Sequence, residues 1–492
     1  MVVFSSKLKS LKRRLICFSF VVPKKCRPRW GPKLMMMANP SLVNFCLAAL
    51  QPSQHCAGRV FFFNMISLDC MDILGTNYFS SSVGGGTQIY LYSRRDYPVY
   101  SRISFLKGSR FDPPNKSGLA HLYEHMVFAG TKSFLTKDKL VEELQQYGGG
   151  LHASTSKELI NINLAVADPT DFPQIVKIYQ TLFAEQLFDA EVFQKEKNVV
   201  QVELANREQN SSLAVRDLFS SVCFSNSPLS SNSIGTKESI NLISVEDIRS
   251  FHHDILSSFA NIIISGGVDI DQTKHAFSEI GLNATTRKPI SQSLTKNDGG
   301  IISIKHTNEP MIQVVFGFKT DVLGLPDYYN MEVVNDIIGS SRSSLLMKKL
   351  RYEAGLVYGV SSSQLAFSDC GVWGISTTVS KKSLAKVLDL ICELLEDLKL
   401  NGFSDDQIER SKNKMLKTKR YSLQSSESWV DLHTDKTNPK NDSDNCFNYI
   451  DRIQSANPED INQAIKKYFV RNNWYLALVG DVAENEVIIN LS

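Results

Sequence analysis

The chain has 492 residues, 42% hydrophobic and 21% charged, which is ordinary globular material with room for two to four domains. Its formal net charge of +3 is unevenly placed: residues 1–68 hold eleven Lys/Arg and no Asp or Glu, leaving 43 basic against 51 acidic side chains in the rest. That mildly acidic body argues against nucleic acid as a partner and suits basic peptides.

The basic leader, residues 1–83, carries apolar runs (Leu15 to Val22, Leu42 to Leu50) far too short to cross a bilayer, so no transmembrane segment is expected. Three readings compete. A mitochondrial presequence would put the protein in the matrix, and translated sequence upstream of a true start at Met65 or Met71 would leave it in the cytoplasm. A degenerate secretory signal, pointing to the periplasm, ranks below both because no small-residue cleavage site follows the first apolar run. Five of the nine cysteines (Cys17, Cys26, Cys46, Cys56, Cys70) fall in this leader, and the other four are scattered without a C-x-x-C pair. This spacing argues against a disulfide framework and against a cysteine-bound metal, and makes a reducing compartment the default.

Folded sequence is expected from Gly84-Gly85-Gly86 onward. Thr87 to Ser93 alternates apolar and polar residues, Val99 to Leu106 follows, and both read as strands of one sheet. Next comes Gly118 to Thr131, G-L-A-H-L-Y-E-H-M-V-F-A-G-T. Here His121 and His125 are four residues apart, so a helix sends both imidazoles out of one face toward a single metal ion. Glu124 lies between them and can act as a base without occupying a ligand position, the logic of the inverted zincin pattern H-x-x-E-H.

Asp138 to Tyr147 reads as a second helix, closed by Gly148-Gly149-Gly150, and Leu151 to Ala167 as a half-exposed strand. An open edge there would take an extended peptide as an added strand. The helical stretch Asp189 to Glu208 then offers Glu196 and Glu203, two turns apart on one face. Either could reach the histidine pair as the third protein ligand that a hydrolytic zinc site needs.

The second half repeats the first. S-V-E-D-I at Ser244 to Ile248 returns as N-P-E-D-I at Asn457 to Ile461, and Gly267 returns as Gly480, both offset by 213 residues. Each copy runs from a capped helix start into a strand (Ile262 to Ser265, Tyr475 to Val479) that ends at a glycine. The expected fold class is α+β: two homologous domains, 84–288 and 300–492, each a mainly antiparallel sheet covered by helices, joined by a linker at 289–299. Aligning the copies sets Asn330, Val333 and Val334 opposite His121, Glu124 and His125, so the second copy has no metal site.

On the His121 to His125 motif, its F-D-P-P-N-K-S-G approach and the downstream acidic helix, the chain resembles the pitrilysin/insulinase family of zinc peptidases, which includes mitochondrial processing peptidase and short bacterial single-chain forms. The resemblance implies one Zn²⁺ per chain held by His121, His125 and Glu203, with Glu124 as general base and Glu196 as the carboxylate that orients a ligand. The family segment G-G-x-x-N-A ends where this chain, in Gly149-Gly150-Leu151-His152-Ala153, has His152-Ala153, so both fall at substrate-binding positions and His152 replaces the family's Asn. Arg351 and Tyr358, seven residues apart, resemble the family's C-terminal substrate-binding pair. The family's activity is endopeptidase cleavage of extended or presequence-like peptides in a chamber of two half-shells. A chain of this size would supply one half, as a homodimer or with a related chain. The alternative is a non-catalytic structural or regulatory subunit related to processing peptidase; such subunits lose ligands, and here all are present.

Overall fold

The computed structural model describes residues 76–83, 87–225, 227–282, 299–436 and 446–491. The readings made for residues 1–75, for the glycines at 84–86 and for nearly all of the linker fall outside them.

The first half runs β1 (Asn77–Val83), β2 (Thr87–Ser93), β3 (Val99–Phe105), α1 (Leu119–Met126), α2 (Lys137–Gln146), β4 (Gly150–Thr155), β5 (Ile160–Val166), α3 (Phe172–Ala184), α4 (Ala190–Gln209), α5 (Ser211–Cys223), α6 (Lys237–Leu242), α7 (Val245–Leu256), β6 (Ala260–Gly266) and α8 (Ile270–Ser278). The second runs β7 (Ile301–His306), β8 (Met311–Thr320), α9 (Pro326–Ile338), β9 (Val360–Ala366), β10 (Gly371–Ser380), α10 (Leu384–Asn401), α11 (Asp405–Ser422), α12 (Ser426–Lys436), α13 (Cys446–Ser455), α14 (Pro458–Tyr468) and β11 (Trp474–Gly480). The fold is therefore α+β, with two sheets covered by helices.

The strand orders show the duplication directly. The first sheet reads β1-β2-β6-β3-β5-β4 and the second β7-β11-β8-β10-β9, the same order once β1 is set aside. In each, one neighbouring pair is parallel (β2 with β6, β7 with β11) and the rest are antiparallel. The paired helix caps expected from the repeat are present: Ser244 accepts from the Asp247 N–H and Asn457 from the Asp460 N–H.

Three sequence expectations are corrected in detail. Strand β1, in antiparallel register with β2, lies inside the segment assigned to the leader. Its polar run N-Y-F-S-S-S-V has no clean alternation, and only Val83 of it is fully buried. The stretch from Leu151 to Ala167 is a hairpin of β4 and β5, turned at Ser156, whose hydroxyl accepts from the Leu159 N–H. The glycine that matches Gly480 is Gly266: both end equivalent strands, at φ 155° and 140°, a region that favours glycine. The strands are thus offset by 214 residues where the helix caps are offset by 213.

Each sheet is buried on both faces, and the second cover comes from the other half. Along β2, Ile89 and Leu91 enter the core of the first half, while Tyr90 and Tyr92 turn the other way into a cluster with Trp429 and Val430 of α12. Along β11, Leu476 and Leu478 pack into the core of the second half, while Tyr475, Ala477 and Val479 meet Ala214, Val215 and Phe219 of α5. The equivalent helices α5 and α12 are therefore exchanged, each lying on the partner sheet. The ring of Tyr92 stacks on Trp429 at 5.4 Å between centroids, and its hydroxyl meets Nδ1 of His433 at 2.7 Å. A buried ion cluster adds a second tie between the halves. Arg110 donates to Asp369 through both terminal nitrogens (2.9 and 2.7 Å) and to Glu158 (2.7 Å), and Glu158 accepts from the Ser368 backbone.

Candidate metal centre

The short helix α1 presents two faces. Leu119, Ala120, Leu122, Tyr123 and Met126 are buried in the first-half core, which leaves His121, Glu124 and His125 on the side turned to α4 and β4. Asp112 fixes its start: one carboxylate oxygen accepts from Gly118 N–H at 2.8 Å and the other from Ala120 N–H at 3.0 Å. These are two of the orphan donors every helix exposes at its N-terminus. Gly118 itself has φ 95°, and a Cβ there would run into the Ile234 carbonyl oxygen. Tyr123 anchors the other side through its hydroxyl, 3.0 Å from Nδ1 of His252.

Helix α4 brings the third group. Phe193, Lys197, Val200 and Leu204 form its buried stripe, and the Lys197 ammonium donates to the carbonyls of Asn241 and Ile243, both at 2.9 Å. This fixes the rotation of the helix, so Glu196 and Glu203 arrive beside α1 two turns apart. Glu203 Oε2 lies 3.2 Å from Nε2 of His121 and 3.6 Å from Nε2 of His125. One ligand atom from each of these three residues falls within 4.8 Å of the others. Glu196 is placed differently: its Oε2 sits on Nδ1 of His125 at 3.0 Å, behind the ring. Glu124 lies 3.6 Å from Nδ1 of His121.

The electrostatics follow from this crowding of acids around two rings. Burial alone would lower the His121 pKa, but Glu124 and Glu203 outweigh it and push it up to about 9. Burial opposes ionisation of Glu124, and His121 and Thr155 overcome it, holding this carboxyl below its ordinary range. Contact with His125 lowers Glu196, and contact with His121 lowers Glu203. Two imidazoles and a carboxylate converging on one point are a donor set that fits zinc with a fourth position open.

A cavity of about 200 Å³ opens beside this cluster, lined by Glu124, His125, Phe128, Lys137, Val141, Leu151, His152 and Ala153. β4 is the edge strand of its sheet, so His152 and Ala153 lie on a free edge next to Glu124.

Two family models match the chain: "Insulinase (Peptidase family M16)" over residues 92–237 and "Peptidase M16 inactive domain" over 242–415. The chain belongs to the insulinase family of peptidases. Among its relatives, an uncharacterized zinc protease of Bacillus subtilis is 26% identical over 381 residues, covering 76% of this chain and 90% of the relative. The beta subunit of mitochondrial processing peptidase from Dictyostelium discoideum is 23% identical, covering 63% and 69%. In fold, the chain is similar to a protease from Helicobacter pylori (TM-score 0.74, 19% identity, 82% of this chain and 99% of the other). It is also similar to a peptidase M16 inactive domain from Pseudomonas fluorescens (TM-score 0.75, 17%, 83% and 99%).

Among the described residues, the second half of this insulinase-family chain has no counterpart of the cluster. Asn330, Val333 and Val334 of α9, the positions aligned with His121, Glu124 and His125, are buried in its core. Arg351 and Tyr358 stand together, the guanidinium 4.8 Å from the ring centroid, with Tyr358 88% exposed. Their described ring contacts are with each other and with Tyr352. Sequence reasoning gave no role to Asp112, Thr155, Lys137 or Phe128. An acid shortly before a helix start was a usable signal for Asp112. The others are defined by the packing of β4 against α1 and α2, which no spacing reveals.

Proposed function

We propose that the chain is a zinc-dependent endopeptidase acting on extended peptides, with His121, His125 and Glu203 holding one zinc ion. The observation that supports this most directly is Glu203, separated from His125 by 77 residues of chain, facing the Nε2 atoms of both rings. Zinc, when bound, supplies a Lewis acid that polarises a carbonyl and acidifies water. Glu124, kept ionised beside His121, takes the proton of the attacking water and hands it to the leaving amine nitrogen. Glu196 holds Nδ1 of His125, which presents Nε2 to the metal position in a fixed orientation. The substrate lies along the free edge of β4, its backbone paired with the strand and its side chains alternating toward and away from Glu124.

In this reading the chain is one half-shell of a two-half chamber. Tyr358, exposed, and Arg351, half-buried beside it, serve the zinc site of a second copy or a related chain, donating to a peptide carbonyl. Cleavage of an extended peptide and zinc content are to be measured on the same preparations. Glu124→Gln is expected to keep zinc and lose cleavage, while His121→Ala, His125→Ala and Glu203→Ala lose both. Ordinary turnover by Glu124→Gln would remove the assignment, and full activity from a strictly monomeric preparation would remove the two-half chamber.

A further inference from the structure

We infer that the cavity beside Glu124 selects a peptide side chain with an apolar stem and an acidic tip, glutamate first, and turns away lysine and arginine, with Lys137 as the residue that sets the preference. The inference rests on the reading that a peptide lies along β4.

The cavity has a layered chemistry. Its walls are Phe128, Val141 and Leu151, which desolvate a methylene stem. Its nitrogen-bearing groups are His125, which faces the metal cluster, and two exposed ones: Lys137, on the first turn of α2, and His152, on the free edge of β4. An acid entering from the edge strand therefore meets an ammonium and an imidazole.

The acids nearby do not cancel this field. Glu196 is engaged by Nδ1 of His125 at 3.0 Å, and Glu124 is turned to Nδ1 of His121 at 3.6 Å. Among the described residues no carboxylate lies within ion-pairing distance of Lys137, although its charge is felt by Glu196. A basic guest would meet Lys137 as a like charge, and the one carboxylate in the cavity wall, Glu124, is turned to His121; such a repulsive element discriminates as effectively as an attractive one. The site thus departs, at this one subsite, from the basic preference suggested by the acidic body of the chain.

The test is equilibrium binding by the zinc-loaded, full-length Glu124→Gln protein. The probes are fluorescently labelled extended Ala/Gly host peptides that differ only in one central guest: Glu, Leu or Lys. The Glu guest is expected to bind about fivefold more tightly than the Lys guest, the upper end for a solvent-exposed ion pair. In the Lys137→Glu background the order should reverse, and in Lys137→Ala the Glu and Lys guests should converge. Equal binding of the three guests, an order unchanged by both Lys137 substitutions, or no binding at all would overturn the inference. Cleavage by the parent protein is read separately: a chain that cleaves all three hosts equally keeps the peptidase reading and loses this one.

Discussion

Glu196 Oε2 lies 3.0 Å from Nδ1 of His125, on the side of the ring away from Glu203. A carboxylate there fixes the tautomer that leaves Nε2 as acceptor toward the metal position and raises its basicity. Glu196→Gln or Glu196→Ala should therefore weaken zinc affinity by about 10- to 100-fold without unfolding the chain. Competition against a chelator of known affinity measures this, and zinc retention within twofold of the parent would remove Glu196 from the site.

Asp112 is predicted to matter through the start of the metal helix. Its carboxylate satisfies the Gly118 and Ala120 N–H groups, so Asp112→Ala should cost about 1 kcal/mol, the usual loss for a missing cap. Burial pushes the carboxyl up to about 7 against those N–H bonds, so near neutral pH its ionisation is itself costly. Asp112→Asn keeps one acceptor oxygen without that cost, and should be clearly milder than Asp112→Ala in denaturant titrations at pH 7. A milder Ala variant would show that the cap contributes nothing.

How much of this was legible beforehand divides along physical lines. The metal motif was readable because helical periodicity places residues four apart on one face, whatever surrounds them. The strands at 87–93 and 99–105 were readable because one face of each is apolar. Glu203 could be chosen over Glu196 only through the family resemblance, since both lie on the same face and only packing sets which one leads. The exchange of α5 and α12 left no signal: both faces of β2 are buried, and Tyr90 and Tyr92 on the second face look in sequence like the amphipathic outer side of a sheet. Packing between elements hundreds of residues apart decides such matters.

The pH dependence of stability should carry a contribution from His433. Burial alone pushes its pKa down to about 3 in the folded chain, against an ordinary 6.5. The unfolded chain therefore binds a proton that the folded chain refuses, so this contribution is fully present above pH 6.5 and is lost as pH falls toward 3. The slope is about 1.4 kcal/mol per pH unit for one group. His433→Phe removes the titration and the bond to the Tyr92 hydroxyl together, so it should be less stable at pH 7 and yet show a shallower decline between pH 6.5 and 4.5. Unfolding midpoints at several pH values compare the two slopes, and parallel slopes would contradict the burial of a neutral imidazole.

The exchanged helices make the two halves one folding unit, although each has its own sheet. Without α12 the face of the first sheet carrying Tyr90, Tyr92 and Ile263 would be bare, and without α5 so would the face of the second sheet carrying Tyr475, Ala477 and Val479. A fragment ending at residue 282 should therefore be poorly soluble and fail to retain zinc, while the same fragment co-produced with residues 299–492 should recover both properties. A point substitution tests the same coupling in the intact chain. Trp429 is fully buried against Tyr92, and Trp429→Ala should cost about 3–5 kcal/mol. Because Trp429 belongs to the second half and the metal cluster to the first, zinc release and loss of helical circular dichroism should shift together by the same denaturant increment. If zinc release kept its original midpoint while the helical signal moved, the halves would be independent domains and the exchange would be only a contact.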